Sequence, residues 1–392
     1  MTPSARAQAA IELLDQVIEA ARSGGAAADT LIARYFKERR YAGSKDRRAV
    51  RELVYRAIRR SGDAPASGRS AMLGMVQDDP GLAELFDGSP HGPAPIAETE
   101  EGTPAGLLPN WIVPRLDSLV GNEEWPSLLE RAPLDLRANR LRGSREDALA
   151  QLPDAQPTPL SPVGLRLPEG FRVEEVDAWK SGLVEIQDEG SQLLTLACGA
   201  RPGETVLDLC AGAGGKTLAL AAEMANQGRI IASDADRGRL SRLAPRLQRA
   251  GVTIVEPRLL DPGRETDQLA DLAGSLDLVL VDAPCSGSGT WRRNPETRWR
   301  LTPKRLAQLV ALQAHLLDVA AGLLKPGGRL VYAVCSLLAE EGRDQAAALS
   351  VRSLLEPQPV TLTAGRPAGT GRLLSPAVDG TDGFFVACWS RP

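Results

Sequence analysis

Two cysteines stand directly behind apolar runs, a placement that can carry covalent chemistry. In LVLVDAPCSGSGTWRRNPETRW the run leads into Asp282, Pro284 and Cys285, and in GGRLVYAVCSLLAEEG the next such run leads into Cys335 and Ser336. A cysteine is normally a small core hydrophobe, and Cys198, Cys210 and Cys388 are read that way. A thiol at a strand end is harder to dismiss. As a thiolate it attacks electron-poor carbon, and an acid such as Asp282 beside it can donate a proton or stabilise the charge that the attack develops. Chemistry alone leaves either Cys285 or Cys335 as the attacking sulfur.

A second constellation is TVLDLCAGAGGKT, in which Asp208 closes a strand, Gly212, Gly214 and Gly215 form a turn, and a helix follows. Glycines permit positive φ and let backbone amides approach a ligand closely. A phosphate-binding loop is excluded, because Cys210 stands where its first glycine is required. A dinucleotide fingerprint begins at Gly212 and Gly214 but meets Thr217 at its third position, so a nicotinamide enzyme is an incomplete match. The third reading is S-adenosylmethionine, whose ribose hydroxyls call for an acid at the end of the next strand. Asp234, in IIASDADRGRL, stands there. A purely structural turn is the plain alternative to all three.

These residues need a scaffold that brings strand ends together. Apolar, β-branched runs at 205–209, 229–233, 276–282 and 329–334 alternate with helical stretches such as 217–224 and 306–324. Such alternation predicts an α/β fold, a mostly parallel sheet with helices on both faces and ligands at the carboxyl ends of its strands. Residues 1–88 carry apolar side chains at helical spacing and read as a small helical domain. Residues 89–106 are rich in Pro, Gly and Glu and read as a linker. Residues 107–185 read as a small α+β module: a short helix near 107–120, a strand, turn and helix over 134–152, and strands returning within 165–176. Residues 186–392 form the alternating catalytic domain.

At 43% hydrophobic and 24% charged residues, the composition is that of a water-soluble globular protein with several domains. Aromatics at 4% leave little material for stacking platforms. The net charge of -4 argues against a uniformly basic polyanion binder, yet residues 34–60 and 292–305 are locally basic. The first run reads equally well as solvated helix faces or as an RNA surface; the second, beside Cys285, points to phosphate contact through Arg292, Arg293, Arg298 and Arg300. The five cysteines lack paired spacing and only His91 and His315 are present, so neither a disulfide framework nor a metal site is expected. No uninterrupted apolar run of membrane-spanning length and no signal-peptide core is seen, which makes a cytoplasmic location the expectation. No obligate protein partner is indicated.

Taken together, DLCAGAGGKT, DAPCSGSG, RRNPETRW, YAVCSLLAEEG and the closing DGFFVACW resemble the RsmB/Nop/Sun family of RNA cytosine-5 methyltransferases. The motif resemblance spans 186–389, about half the chain, and the pairing of one cysteine after D-A-P with another before Ser separates this family from ordinary methyltransferases. It implies a Rossmann-like class I methyltransferase domain, S-adenosylmethionine as cofactor and RNA, ribosomal before transfer RNA, as substrate. The amino-terminal basic helices are similar to the NusB-like RNA-binding domain of some members. In one place the chain departs: the family's loop usually reads C-A-A-P-G-G-K-T, whereas Gly212 and Ala213 stand here in place of Ala and Pro. Losing the proline frees a dihedral and predicts a looser loop.

The resemblance also distributes roles. Cys335 is implied as the nucleophile and Cys285 as the group that helps release the product, although DNA cytosine methyltransferases use a proline-cysteine motif for attack. Asp282 is implied to hold the polar edge of the base, and Lys216 to act on a nearby thiol or the base. The cofactor is implied to lie along Cys210, Ala211, Gly212, Ala213, Gly214, Gly215 and Lys216, with Asp234 on its ribose, Asp261 on its adenine and Asp282 nearby; Asp267 competes with Asp261. A catalytically silent RNA-binding protein and a DNA-directed enzyme are the alternatives, the first disfavoured by the presence of every cofactor acid and both cysteines.

Overall fold

The helical spacing at the amino end folds as α1 (Pro3–Ser23), α2 (Ala28–Glu38), α3 (Ser44–Arg60) and α4 (Gly68–Asp78). α1 begins where the Thr2 hydroxyl accepts the N–H of Ala5, with Pro3 at its first turn, and ends at Gly24 with φ of 73°. Leu13, Leu14 and Val17 on its inner face share one core with Val50, Val54 and Ile58 of α3 and with Met72 and Met75 of α4. α4 enters so close to α1 that a Cβ on Gly68 would lie 2.1 Å from the Ile11 carbonyl oxygen.

The computed structural model describes residues 1–392. It divides them into two units: Met1–Leu116, Gly121–Glu130 and Thr290–Arg305 form the first, and Asp117–Val120, Arg131–Gly289 and Leu306–Pro392 form the second. Residues 89–106 contain no helix or strand and lie against the first unit's helices, with Glu100 paired to Arg69 at 2.5 Å and the Thr103 N–H donated to the Ser70 carbonyl at 2.8 Å. The helix expected near 107–120 is only a single 3-10 turn at Val113–Arg115, because Pro114 removes a donor that a longer helix would need.

Segment Thr290–Arg305, far along the chain, completes the helical unit from within. α2 has no side-chain cap of its own, and Glu296 supplies one by accepting the Ala28 N–H at 3.0 Å. Arg298, with no exposed surface, donates to the carbonyls of Ile58 at 2.6 Å and Ser61 at 2.8 Å where α3 ends. Trp299 joins the helical core and also donates to the Ser61 carbonyl, while Arg300 holds the Gly25 and Ala26 carbonyls. The phosphate grip expected of Arg298 is therefore overturned, because its guanidinium is buried and committed to backbone carbonyls of its own unit.

The second unit opens with a four-stranded antiparallel sheet of order β2-β3-β1-β4, from β1 (Leu134–Ala138), β2 (Gln156–Pro157), β3 (Gly164–Leu167) and β4 (Val184–Ile186). Helices α5 (Arg145–Gln151) and α6 (Asp177–Lys180) belong to the same module, and Leu136, Ala148, Leu165 and Val184 build its core. Of the strands expected within 165–176, only the first residues extend; after Pro168 the chain turns and forms a 3-10 turn at Val173–Glu175.

The remainder is a nine-stranded sheet fed by alternating elements: α7 (Glu189–Ala197), β5 (Thr205–Asp208), α8 (Gly215–Glu223), β6 (Arg229–Asp234), α9 (Arg237–Leu240), α10 (Leu243–Ala250), β7 (Val255–Leu259), α11 (Glu265–Gln268), β8 (Leu276–Asp282), α12 (Pro303–Leu323), β9 (Leu324–Val334), α13 (Arg343–Arg352), β10 (Glu356–Gln358), β11 (Arg366–Ala368), β12 (Gly371–Leu374), α14 (Pro376–Asp379) and β13 (Phe384–Ser390). The order is β11-β12-β13-β9-β8-β5-β6-β7, with β10 also on β13. β7, β6, β5, β8 and β9 run parallel and β13 returns antiparallel beside β9. This is the Rossmann-like class I methyltransferase arrangement. Its order reverses at β5, whose neighbours are β6 on one side and β8 on the other, and that reversal opens a crevice at the strands' carboxyl ends. α12 has the length and apolarity to cross a membrane, but Leu306, Leu309, Leu316 and Leu317 are buried inside the protein.

Candidate active site

β5 ends at Asp208 and the chain turns into α8 through a loop fastened on both sides. The Leu209 N–H reaches the Leu280 carbonyl on β8, the Ala211 N–H reaches the Ser233 carbonyl on β6, and the Gly212 N–H is donated to the Asp234 carboxylate at 2.7 Å. Gly212 and Gly214 have φ of 57° and 86°, and a Cβ on Gly214 would lie 2.1 Å from Leu243 Cδ1. At Ala213, where the family resemblance leads one to expect a proline, Arg246 holds the carbonyl at 2.7 Å and is itself fixed by Glu185 at 2.9 Å. Tertiary hydrogen bonding thus restrains the loop where a ring would have.

Nothing lies within 4 Å of a Cβ placed on Gly215, so the first turn of α8 presents bare backbone to open space. Asp234, nearly buried at the end of β6, accepts the N–H groups of Gly212 and Asp236, each at 2.7 Å, and a carboxylate so placed still has lone pairs for ribose hydroxyls. Asp261 follows β7, next to the point where the Leu260 N–H meets the Asp234 carbonyl; Gln268 clamps it at 2.7 Å and 2.9 Å. Its competitor Asp267 is exposed on α11. The glycine loop, the bare helix end and the acid at β6 fit an adenosylmethionine.

Asp208 is fully buried and bonded to the Thr217 hydroxyl at 2.7 Å, and its other oxygen has no hydrogen-bond partner. Burial pushes its carboxyl up to about 7. Cys198 and Cys388 lie in the core, and burial raises the thiols of Cys198, Cys210 and Cys388, which suits inert hydrophobes.

Across the crevice, Lys216 at the start of α8 pairs with Asp282 at the end of β8, Nζ to Oδ2 at 2.7 Å. Burial opposes the charge on Lys216, but Asp282 outweighs it and the net displacement of its pKa is upward. The ammonium also lies within electrostatic reach of Cys335 and 5.8 Å from the ring centre of Phe384. Cys285 and Cys335 face one another with sulfurs 3.3 Å apart, both partly exposed. A hydrogen bond with Cys335, then burial and the charge of Cys335 and Glu341, hold the Cys285 thiol well above its ordinary value. Lys216, Asp282, Cys285 and Cys335, read separately from the sequence, thus gather at one strand-end site.

The sequence reading missed what fastens the cysteine loops. Ser286 and Ser336, each following a cysteine, both donate to the fully buried Glu341 carboxylate. Glu341 lies in the AEEG that closes the Cys335 motif, and an acid after a strand gives no sign in sequence of pointing inward.

The family profile described as 16S rRNA methyltransferase RsmB/F matches residues 195–390, and a ferredoxin-like domain described for RsmF/B-like methyltransferases matches residues 108–174. Ribosomal RNA small subunit methyltransferase B of Klebsiella pneumoniae is 37% identical over 300 residues, covering 74% of this chain and 68% of that relative. The counterpart from Salmonella newport is 36% identical over 289 residues, 72% of this chain and 66% of its own length, so the chain spans about two thirds of such relatives. Among solved structures, a methyltransferase homolog from Pyrococcus horikoshii superimposes with a TM-score of 0.62 at 29% identity, covering 71% of this chain and 92% of that one.

Proposed function

Because the chain belongs to the RsmB/F family of 16S rRNA methyltransferases within the RsmB/Nop/Sun group, we propose that it methylates carbon 5 of cytosine in ribosomal RNA through a covalent adduct with Cys335. The observation that carries this reading is the pair of sulfurs 3.3 Å apart at adjacent strand ends, beside the Lys216–Asp282 ion pair. Carbon 5 of cytosine is a poor nucleophile while its ring stays conjugated. Addition of the Cys335 thiolate to carbon 6 breaks that conjugation and leaves an enamine whose electron pair is available at carbon 5. Asp282 is assigned to hydrogen-bond the polar edge of the ring, and the Lys216 ammonium paired with it to stabilise the negative charge that develops as the thiolate adds.

Adenosylmethionine supplies an electrophilic sulfonium methyl when bound. Residues Cys210 to Lys216 would hold its methionine end, Asp234 its ribose and Asp261 its adenine. After transfer the carbon 5 proton must leave so that the carbon 6–sulfur bond can break and return Cys335 as a thiolate. Cys285, 3.3 Å from Cys335, is assigned to take up that proton, for which it acts as a thiolate after giving its own proton to solvent. The division of labour between the two cysteines rests on the family resemblance, which puts the attacking sulfur in the Cys335 motif.

The target base must leave its stack to reach the thiol, which favours a loop or locally opened RNA. We further assign RNA capture to the helical unit, where Arg34, Lys37, Arg40, Lys45 and Arg48 are exposed around α2 and α3 and Tyr41 is 73% exposed. The test supplies labelled adenosylmethionine with ribosomal RNA, transfer RNA or DNA. Label entering ribosomal RNA at carbon 5 of cytosine, lost in Cys335→Ala, supports the assignment; full transfer by that variant refutes the nucleophile. Cys285→Ala should accumulate a protein–RNA adduct, and bisulfite sequencing of RNA from a deletion strain locates the cytosine.

A further inference from the structure

Burying a carboxylate costs several kcal/mol unless hydrogen bonds replace its water. Glu341 has no exposed surface, and its replacements for water come from three places in the chain. One oxygen accepts the Ser286 N–H at 2.8 Å and the Gln313 side-chain amide at 3.0 Å. The other accepts the hydroxyls of Ser286 and Ser336, the latter at 2.6 Å. Ser286 follows Cys285 and Ser336 follows Cys335, so a single carboxylate grips the residue next to each sulfur.

The linkage is reinforced on both sides. Ser288 meets the Ser336 hydroxyl at 3.0 Å and accepts the Leu337 N–H at 2.8 Å, and the Gly289 N–H is donated to the Cys335 carbonyl at 3.0 Å. Gln313 also donates to the Pro284 carbonyl at 2.9 Å, so α12 braces the Cys285 loop from behind. Glu341 itself is fixed through its carbonyl, which accepts the Tyr332 hydroxyl at 2.5 Å. The Ser286 and Ser336 hydroxyls also meet at 3.1 Å and Ser288 reaches both, so the Glu341 carboxylate anchors a network in which the two cysteine loops already touch.

We propose that Glu341 is a positioning residue that sets the separation of Cys285 and Cys335 by clamping Ser286 and Ser336, so that one sulfur attacks and the other is in place for release. The inference rests on the two-cysteine reaction proposed above, and its test reads the sulfur spacing independently of RNA. Phenylarsine oxide condenses with two neighbouring thiols, releasing water and forming two arsenic–sulfur bonds without oxidation. The full-length protein should be bridged across Cys285 and Cys335, and Glu341→Ala should lose that bridging while each thiol still reacts singly with iodoacetamide. Glu341→Gln, which keeps an acceptor for the Ser286 N–H and Gln313 and can donate to the serine hydroxyls, should restore it.

The second readout is adduct formation on ribosomal RNA carrying 5-fluorocytidine, in which no proton is available to leave carbon 5 after methyl transfer. Trapping should slow at least tenfold in Glu341→Ala and recover to within threefold in Glu341→Gln, with adenosylmethionine affinity unchanged in both. Unaltered bridging and trapping in Glu341→Ala overturn the proposal. So does loss of adenosylmethionine affinity in parallel with trapping in both variants, since that marks a general structural role. If the unmodified protein is bridged by the arsenical but traps no RNA, the proposed reaction fails while the clamp is judged on bridging alone.

Discussion

Replacing Arg298 with alanine should loosen the helical unit without changing how salt weakens RNA binding. The side chain is fully buried and donates to the Ile58 and Ser61 carbonyls at 2.6 Å and 2.8 Å. A hydrogen bond from a charged donor contributes about 1.5–3 kcal/mol, so the two together are worth about 3–6 kcal/mol. Part is offset because the variant no longer buries a guanidinium, and each carbonyl keeps a second donor: the Ser61 N–H at Ile58 and the Trp299 indole at Ser61. A net loss of about 3 kcal/mol is expected, which should accelerate amide exchange in the last turns of α3 about 100-fold. Hydrogen-exchange mass spectrometry of peptides from 44–61 reads this directly. A phosphate-gripping arginine predicts the reverse: unchanged protection, and a slope of log affinity against log salt shallower by about 0.7–0.9. That outcome would falsify the structural assignment of Arg298.

Other perturbations probe the crevice. The folded Asp208 carboxyl keeps its proton to about pH 7 against an ordinary 3.8, so the unfolded chain ionises first and this residue's contribution makes stability decline as pH rises between those values, by about 4 kcal/mol at most. D208N should flatten that decline, as measured by urea midpoints at pH 5 and pH 8; an unchanged profile rejects the assignment. In G214A, a positive φ for alanine and the displacement of Leu243 should together cost about 2–4 kcal/mol, visible as a lower Tm and weaker adenosylmethionine binding by calorimetry. K216M should reduce methyl transfer about 100-fold while leaving the fold intact by circular dichroism, and transfer at the native rate would remove Lys216 from the chemistry.

Much of the catalytic framework was legible because buried parallel strands are written as apolar, often β-branched runs, as in β5, β6, β8 and the second half of β9. β7 was not, because Glu256, Pro257 and Arg258 interrupt its apolar character. It pairs only with β6, and an edge strand tolerates a proline that a central strand would reject. The two cysteines and the glycine loop were visible because strand-end chemistry uses few residue types. Glu341 was invisible for the opposite reason: its acid resembles any surface charge until the serines it joins are known to meet. The phosphate contact read for Arg298 failed similarly, since a guanidinium aimed at a carbonyl and one aimed at a phosphate are spelled alike. Only the depth of burial separates them, and burial depends on contacts more than two hundred residues away in sequence.

The segment Thr290–Arg305 also orders events in time. A ribosome makes about 5–20 residues each second, so the interval between completing α4 and delivering Glu296, Arg298 and Trp299 is roughly 10–40 s. Throughout that interval α2 has no side chain over its first amides, and α3 ends without the arginine that holds its last carbonyls. Helices made long before residues 290–305 are therefore among the last to reach their native stability, and a fragment that ends anywhere before 290 carries the same deficit permanently.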